Sequence, residues 1–290
     1  MTLRTKGEWK IGRRSLTYGE RTLVMGILNV TPDSFSDGGE FFSLADALAR
    51  AEQMIADGAD IIDIGGESTR PGSNFVSEEE ELNRVIPVIE RLANLSAPIS
   101  VDTTKSAVAR VALQAGAEII NDISGLRFDP AIADVVAAAN AGVVLMHSRG
   151  TPKDMQQLPP VDDVISDVIE GLRSSVALAE SRGVARECIA IDPGIGFGKT
   201  VEQNLELIAK LDQLAAQFRD MPLMIGTSRK RFIGKILDDA PATARLHGTI
   251  ATIVAAVLHG AHVVRVHDVK QMADAVRIAD AIRNSAIVAS

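Results

Sequence analysis

Thr22-Leu23-Val24-Met25-Gly26-Ile27-Leu28-Asn29-Val30 is a short aliphatic run that stops on an amide. Seven more runs of this kind follow: Asp60 to Glu67, Pro98 to Thr103, Glu118 to Ser124, Gly142 to Ser148, Cys188 to Gly194, Met221 to Ser228 and His262 to Asp268. Each is rich in β-branched and aliphatic residues and ends in polar or charged groups, among them Glu67, Asp102, Asn121, His147, Asp192, Ser228, Arg265 and His267. From Asn29 to His267 there are 238 residues in seven steps, or 34 per step. That spacing suits one strand, one returning helix and two short connections. The pattern predicts an α/β fold, a TIM (β/α)8 barrel whose polar strand ends meet at one rim.

The segments between the runs carry helical spacing. Leu44, Leu48, Ala51 and Ile55 form one stripe, and Leu82, Val85, Ile89 and Leu92 another. Ser77 and Glu80 precede the second stripe as a capping-box pattern, while Pro87 inside it predicts a kink. Further helices are expected over 106–115, 164–182, 202–217, 229–237, 246–259 and 269–284. Residues Trp9 to Thr22 read as a small hairpin set against the barrel, an extension over 1–21 of one domain spanning 1–290.

Bulk composition agrees with that architecture. The chain has 290 residues, 46% of them apolar, enough core for a single barrel, a class that exceeds the roughly 150-residue domain norm. A net charge of −8 argues against nucleic acid or an anionic membrane as a partner. The single Cys188 leaves no disulfide within the chain, so a reducing, cytoplasmic setting is expected. Residues 1–14 have no long apolar stretch and no later segment reaches about 18 uninterrupted apolar residues, so neither export nor a membrane span is expected.

Closure of a barrel brings distant strand ends together, and catalysis on this fold is placed there. Arg265 and His267 are two apart in a strand and share a face, a basic pair suited to an anion. The loop after Asn29 is polar and Gly-rich yet carries Phe35, and the loop after Glu67 carries Arg70; both read as lids. At Gly226-Thr227-Ser228-Arg229-Lys230 a strand turns into a helix, with Thr227 or Ser228 available as the cap and Lys230 adding charge.

Other motifs fail on spacing. Gly194-Ile195-Gly196-Phe197-Gly198-Lys199-Thr200 ends like a phosphate loop, but Pro193 stands where its first glycine belongs, so it reads as a flexible loop. His262 and His267 begin and end one strand, which separates them as metal ligands, and neither a Cys cluster nor an H-E-x-x-H helix supports zinc.

MGILNVTPDSFSDGG from Met25, DIGGESTRPG from Asp63, VDTTK from Val101, INDIS from Ile120, LMH from Leu145, DPGIGFGK from Asp192, GTSRK from Gly226 and RVHDV from Arg265 stand in one order along the chain. Together they resemble the dihydropteroate synthase family. The resemblance implies a TIM barrel, usually a homodimer, that joins 6-hydroxymethyl-7,8-dihydropterin diphosphate to 4-aminobenzoate and releases diphosphate in folate biosynthesis. It also implies a sulfonamide target.

Carried onto this sequence, the resemblance places the pterin against Asp102, Asn121, Asp192 and Lys230, the catalytic set, with Ile123 and Met146 in apolar contact. Arg70, Arg265, His267 and Asn29 would hold the diphosphate, with Asn29 coordinating Mg2+. Thr69, Pro71, Phe197 and Ser228 would line the aminobenzoate pocket, and Phe35 and Asp37 would belong to the first lid. Arg231 stands where some members carry Ser. His147 and Glu67 have no assigned task, and Asp63, a carboxylate inside an apolar run, needs a partner that the sequence does not name. Two alternatives share a pterin-binding barrel: a methyltetrahydrofolate-dependent methyltransferase, which should lack the first lid and the RVH set, and a non-catalytic paralogue, which should have lost loop or anion residues.

Overall fold

A two-stranded antiparallel hairpin, β1 (Gly7–Ile11) and β2 (Arg14–Tyr18), lies beneath eight parallel strands in a computed structural model of the chain. The structure describes residues 4–31, 44–68, 75–151, 153–155 and 157–288. The parallel strands are β3 (Leu23–Asn29), β4 (Ile61–Gly65), β5 (Ile99–Asp102), β6 (Ile119–Asp122), β7 (Gly142–Met146), β8 (Ile189–Asp192), β9 (Met224–Ile225) and β10 (Val263–Val266). Their order, β8-β7-β6-β5-β4-β3-β10-β9, joins neighbours in sequence except where β3 meets β10. The remaining seam between β8 and β9 is drawn together by a parallel bridge at Ile191 and Leu223, with the Ile191 N–H on the Pro222 carbonyl at 3.1 Å.

Period-two alternation explains where the polar groups fall. Leu23, Met25, Ile61, Ile119, Val144, Ala190, Met224 and Val263 form one buried cluster with Trp9, Ile11 and Tyr18 of the hairpin. The hairpin therefore plugs the lower end of the barrel, and the Trp9 indole donates to the Cys188 carbonyl at 2.9 Å. Gly142 accommodates the plug, because a Cβ there would lie 2.6 Å from Cγ2 of Ile11. Two residues beyond Ile61, Ile119, Val144, Ala190 and Val263 stand Asp63, Asn121, Met146, Asp192 and Arg265. One step up each strand thus exchanges an apolar layer for a predominantly polar one.

Ten α-helices surround the strands among the described residues. α1 (Leu44–Ala56) buries Ala47, Ala51 and Met54 against the sheet. α2 (Glu78–Leu92) runs continuously through Pro87, burying Val85, Val88, Ile89 and Leu92. Only half of its expected capping box forms: Ser77 accepts from the Glu80 N–H at 3.2 Å, while the Glu80 carboxylate turns to Arg84. α3 (Ser106–Ala115) matches its sequence reading, but α4 (Ala131–Ala139) has no counterpart there. Its composition is apolar nearly throughout, so no stripe stands out, and its start is marked only by Pro130 and the Asp129 carboxylate, which accepts from the Ala131 N–H at 3.1 Å.

The rest follow the predicted alternation with shifted bounds. α5 (Val164–Ser181) is capped by Asp163, and the expected helix over 202–217 divides into α6 (Val201–Ala209) and α7 (Leu211–Gln217). α8 (Arg231–Ile236) has six residues and begins after Lys230, so neither Thr227 nor Ser228 caps it. α9 (Leu246–Leu258) and α10 (Val269–Val288) complete the ring. No helix among the described residues is long and apolar enough to cross a membrane.

Candidate active site

The polar layer opens into a cavity of about 640 Å3 at the C-terminal ends of the strands. Asn29, Asp102, Asn121, Ile123, Met146, Asp192, Phe197, Ser228, Lys230, Arg265 and His267 all line it. Eleven positions proposed from sequence, scattered over 239 residues, are therefore brought together. Thr69, Arg70, Pro71, Phe35 and Asp37 lie outside the described residues.

Asp63 supplies what the sequence left open. Its carboxylate accepts from Nε of Arg265 at 2.6 Å and from the Asn121 amide at 3.1 Å. Arg265 also donates through Nη2 to Asp102 at 2.7 Å. The guanidinium expected at the diphosphate is thus anchored on two carboxylates of the floor. Asp63 is fully buried and faces no ligand space, so it acts by aiming two groups that do. The signal in the sequence was the carboxylate itself within an aliphatic run, where an unpaired charge is costly.

Burial sets the electrostatics of this floor. It pushes the Asp102 carboxyl up to about 7; Arg265 opposes the rise, while Asp63, Glu81 and Asp122 add to it. Asp192 is raised for the same reason, with Lys230 opposing, and its Oδ1 accepts from the Gly194 N–H at 2.6 Å. The Lys230 ammonium is pulled down by burial to about 8 against the attraction of Asp192. Burial alone would also lower Arg265, but Asp63 and Asp102 together raise it. Burial thus holds two carboxyls above their ordinary range and an amine below it, a kind of perturbation that clusters at functional sites.

At the rim, Ser228 and His267 are joined: their Oγ and Nδ1 lie 3.0 Å apart, and the His267 N–H donates to the same hydroxyl at 3.2 Å. Ser228 is therefore held by β10's end rather than by a helix start. Arg229 adopts a left-handed conformation, φ 58°, and pairs with Asp268. That kink carries Lys230 back over the pocket, where its amine donates to the Ile195 carbonyl and stands 4.7 Å from the centre of the Phe197 ring. Arg231, exposed on the first turn of α8, also lines the cavity.

The stretch 194–200 is not a free loop. Gly194, Gly196 and Gly198 have φ of 68°, 86° and 69°, and the Gly196 N–H donates to Asn204 at 2.6 Å. Glu67 likewise has a structural place: it pairs with buried Lys105, which also holds buried Glu81, and it accepts from the Val76 N–H at 3.2 Å. His262 lies at the opposite end of β10 from His267, accepting from the Leu223 N–H at 3.0 Å and facing the Thr5 carbonyl at 3.0 Å.

Comparison with known proteins places the chain in a family. Residues 25–267 match the model of the family described as pterin binding enzyme. The dihydropteroate synthase of a Synechocystis strain is 51% identical over 94% of this chain and 94% of its own length. The Yersinia pestis dihydropteroate synthase, solved with a sulfonamide drug complex, superposes with a TM-score of 0.88 at 44% identity, covering 94% of this chain and 98% of that one. The Burkholderia cenocepacia dihydropteroate synthase, complexed with 7,8-dihydropteroate, gives a TM-score of 0.86 at 43% identity over 97% and 98% of the two chains. With a family model matched over residues 25–267 and a relative half identical over nearly its whole length, the chain belongs to the pterin binding enzymes and, among them, to the dihydropteroate synthases.

Proposed function

We propose that this chain condenses 6-hydroxymethyl-7,8-dihydropterin diphosphate with 4-aminobenzoate, giving 7,8-dihydropteroate and diphosphate in folate biosynthesis. The observation that carries the reading is one cavity with carboxylates in its floor and basic groups at its rim, in a chain 51% identical to a dihydropteroate synthase. Such a division of charge suits a dissociative step. The exocyclic C–O bond breaks, its electron pair leaves on the diphosphate, and the pterin side becomes positive. Asp102 and Asp192 face the side that gains positive charge, and Asn121 adds an amide for the ring edge. Lys230 holds the ring beside Phe197, with Met146 and Ile123 as apolar walls. Arg265, Arg70 and His267 receive the departing anion. Groups fixed before the reaction stabilise such charge without reorganising, commonly the largest catalytic contribution.

The second substrate attacks through a neutral aromatic amine, forming the C–N bond and then losing a proton. It needs placement more than a strong base. Phe197 and Ser228, which line the cavity, are assigned to its pocket by the resemblance together with Thr69 and Pro71, and Phe35 and Asp37 are assigned to the first lid.

Magnesium is part of the proposal. No group of three or more His, Cys, Asp or Glu residues among the described ones is arranged to hold a metal by itself. Asn29, a neutral oxygen donor lining the cavity, fits an ion held chiefly by substrate phosphate oxygens, the habit of Mg2+. When bound, the ion would offset charge on the diphosphate.

The chain is further read as a cytoplasmic homodimer. Cys188, its single thiol, is buried and free. Ile278 and Ile282 on α10 are 64% and 48% exposed and one helical turn apart, an apolar pair suited to a second copy.

Incubating the purified chain with both substrates and Mg2+ tests the reaction. A pterin product that appears only with aminobenzoate supports it. Methyl transfer from methyltetrahydrofolate, or binding of the pterin without turnover, would replace it.

A further inference from the structure

Lys199 and the neighbouring His147 have no task in the chemistry above, yet with the segment from Gly194 they are built as one unit. Lys199 is buried, and its amine donates to the carbonyls of Gly194 at 2.9 Å, Phe197 at 3.2 Å and His147 at 3.3 Å. It also stands 3.1 Å from Nδ1 of His147. Burial lowers the Lys199 amine to about 7; in its charged form it is only a donor, which makes Nδ1 the acceptor and leaves the imidazole proton on Nε2, facing Asp167 at 3.4 Å. Burial, followed by the cations Lys199, Arg127 and Arg149, lowers the His147 imidazole to about 2 and keeps it neutral in this arrangement.

Two glycines leave room for the unit. A Cβ at Gly171 of α5 would lie 2.4 Å from Cδ2 of His147, and one at Gly194 would lie 1.8 Å from the His147 carbonyl oxygen. His147 is therefore wedged between α5 and the loop, and Lys199 closes the loop over it. The other side of the same loop meets the pocket. It offers the Ile195 carbonyl to Lys230, the Phe197 ring to the same amine at 4.7 Å, and the Gly194 N–H to Asp192 at 2.6 Å.

We propose that Lys199, braced by His147, is a positioning residue for the proposed reaction, holding the loop that sets the Phe197 ring against Lys230 where aminobenzoate meets the pterin. The assignment rests on the synthase reading. Two of the three carbonyls that Lys199 holds belong to the loop, and one is that of Phe197 itself, so its loss displaces the Phe197 side first. The backbones of Lys230 and Asp192 keep their own places, just ahead of α8 and at the end of β8.

The test uses the full chain with Lys199→Met, Phe197→Ala and the double substitution. Steady-state kinetics give KM for aminobenzoate, calorimetry gives the affinity for dihydropterin diphosphate, and circular dichroism reports folding. Lys199→Met is expected to raise KM for aminobenzoate on the order of tenfold, since small misplacements of reacting partners are costly. The affinity for dihydropterin diphosphate should change far less. In the double variant the two effects should be clearly less than multiplicative, because both act through one ring. An unchanged KM in a folded Lys199→Met chain, equal losses for both substrates, or fully multiplicative effects would each overturn the assignment. Should Lys199→Met fail to fold, Lys199→Gln, which retains an N–H donor, is judged by the same criteria. If the wild-type chain forms no dihydropteroate, the synthase reading falls and this inference with it.

Discussion

Asp63 and Arg265 meet across the strand that separates them: β3 lies between β4 and β10, and the carboxylate takes the guanidinium Nε at 2.6 Å above it. Asp63 has no exposed surface, whereas Arg265 lines the cavity. A buried carboxylate is thus the foundation for a pocket cation that Asp102 shares. Replacing it with an amide of the same shape, Asp63→Asn, leaves one positive charge less well matched. Urea unfolding is expected to show a loss of about 3 kcal/mol, typical of breaking a buried pair. KM for dihydropterin diphosphate should rise on the order of tenfold, about 1.4 kcal/mol of binding. Wild-type values for both would mean that the pair does not organise the floor.

The floor also fixes a pH dependence. kcat/KM reports the ionisation of free enzyme groups. With Asp102 at about 7 and Lys230 at about 8, and both required in their charged forms, kcat/KM for dihydropterin diphosphate should fall below about 7 and above about 8. Lys230→Arg keeps its charge through this range, so its residual activity should lack the alkaline limb. A profile with that limb unchanged would remove Lys230 from the ionisations that matter. Because folded Asp102 holds its proton more tightly than the unfolded group, its own contribution makes folding less favourable as pH rises from 3.8 to about 7.

His262 acts in the opposite sense. Burial lowers its imidazole from 6.5 to about 3, so between those values the unfolded chain binds the extra proton and the fold loses stability as pH falls. Thermal unfolding followed from pH 7 to pH 4 should show Tm falling, and His262→Gln should flatten part of that slope. An identical slope in the variant would place the acid sensitivity elsewhere.

The hairpin plug separates stability from chemistry. Trp9 is fully buried at the barrel end opposite the cavity and fills the floor beside Ile119 and Val144. Trp9→Ala is expected to cost about 4 kcal/mol of stability by leaving a void. The folded fraction at low temperature should keep kcat near that of the wild-type chain. A large loss of kcat in fully folded protein would show that the plug reaches the active end.

Much of this arrangement was legible because a barrel needs only the alternation of strands and helices and the polarity of strand ends. Asp102, Asn121 and Asp192 each close an apolar run, and each lines the cavity. Three features resisted reading for separate physical reasons. α4 is apolar nearly all round, so it lacks the contrast that marks an amphipathic helix. The Gly226 to Lys230 turn resembles a capped helix start, but left-handed Arg229 delays the helix to Arg231 and Ser228 bonds to His267 instead. Asp63 announced that it needed a partner, yet its partner lies 202 residues away, a pairing that only closure creates.

The central claim is that the charged floor and basic rim serve one condensation. It is tested most directly by measuring dihydropteroate and diphosphate in the same reaction, with and without aminobenzoate, for the wild-type chain and for Asp192→Asn. The expected result is equimolar formation of both products, dependent on aminobenzoate, with both reduced in step on the order of a hundredfold in the variant. Diphosphate released in the presence of aminobenzoate without matching dihydropteroate, or an Asp192→Asn chain as active as the wild type, would contradict it.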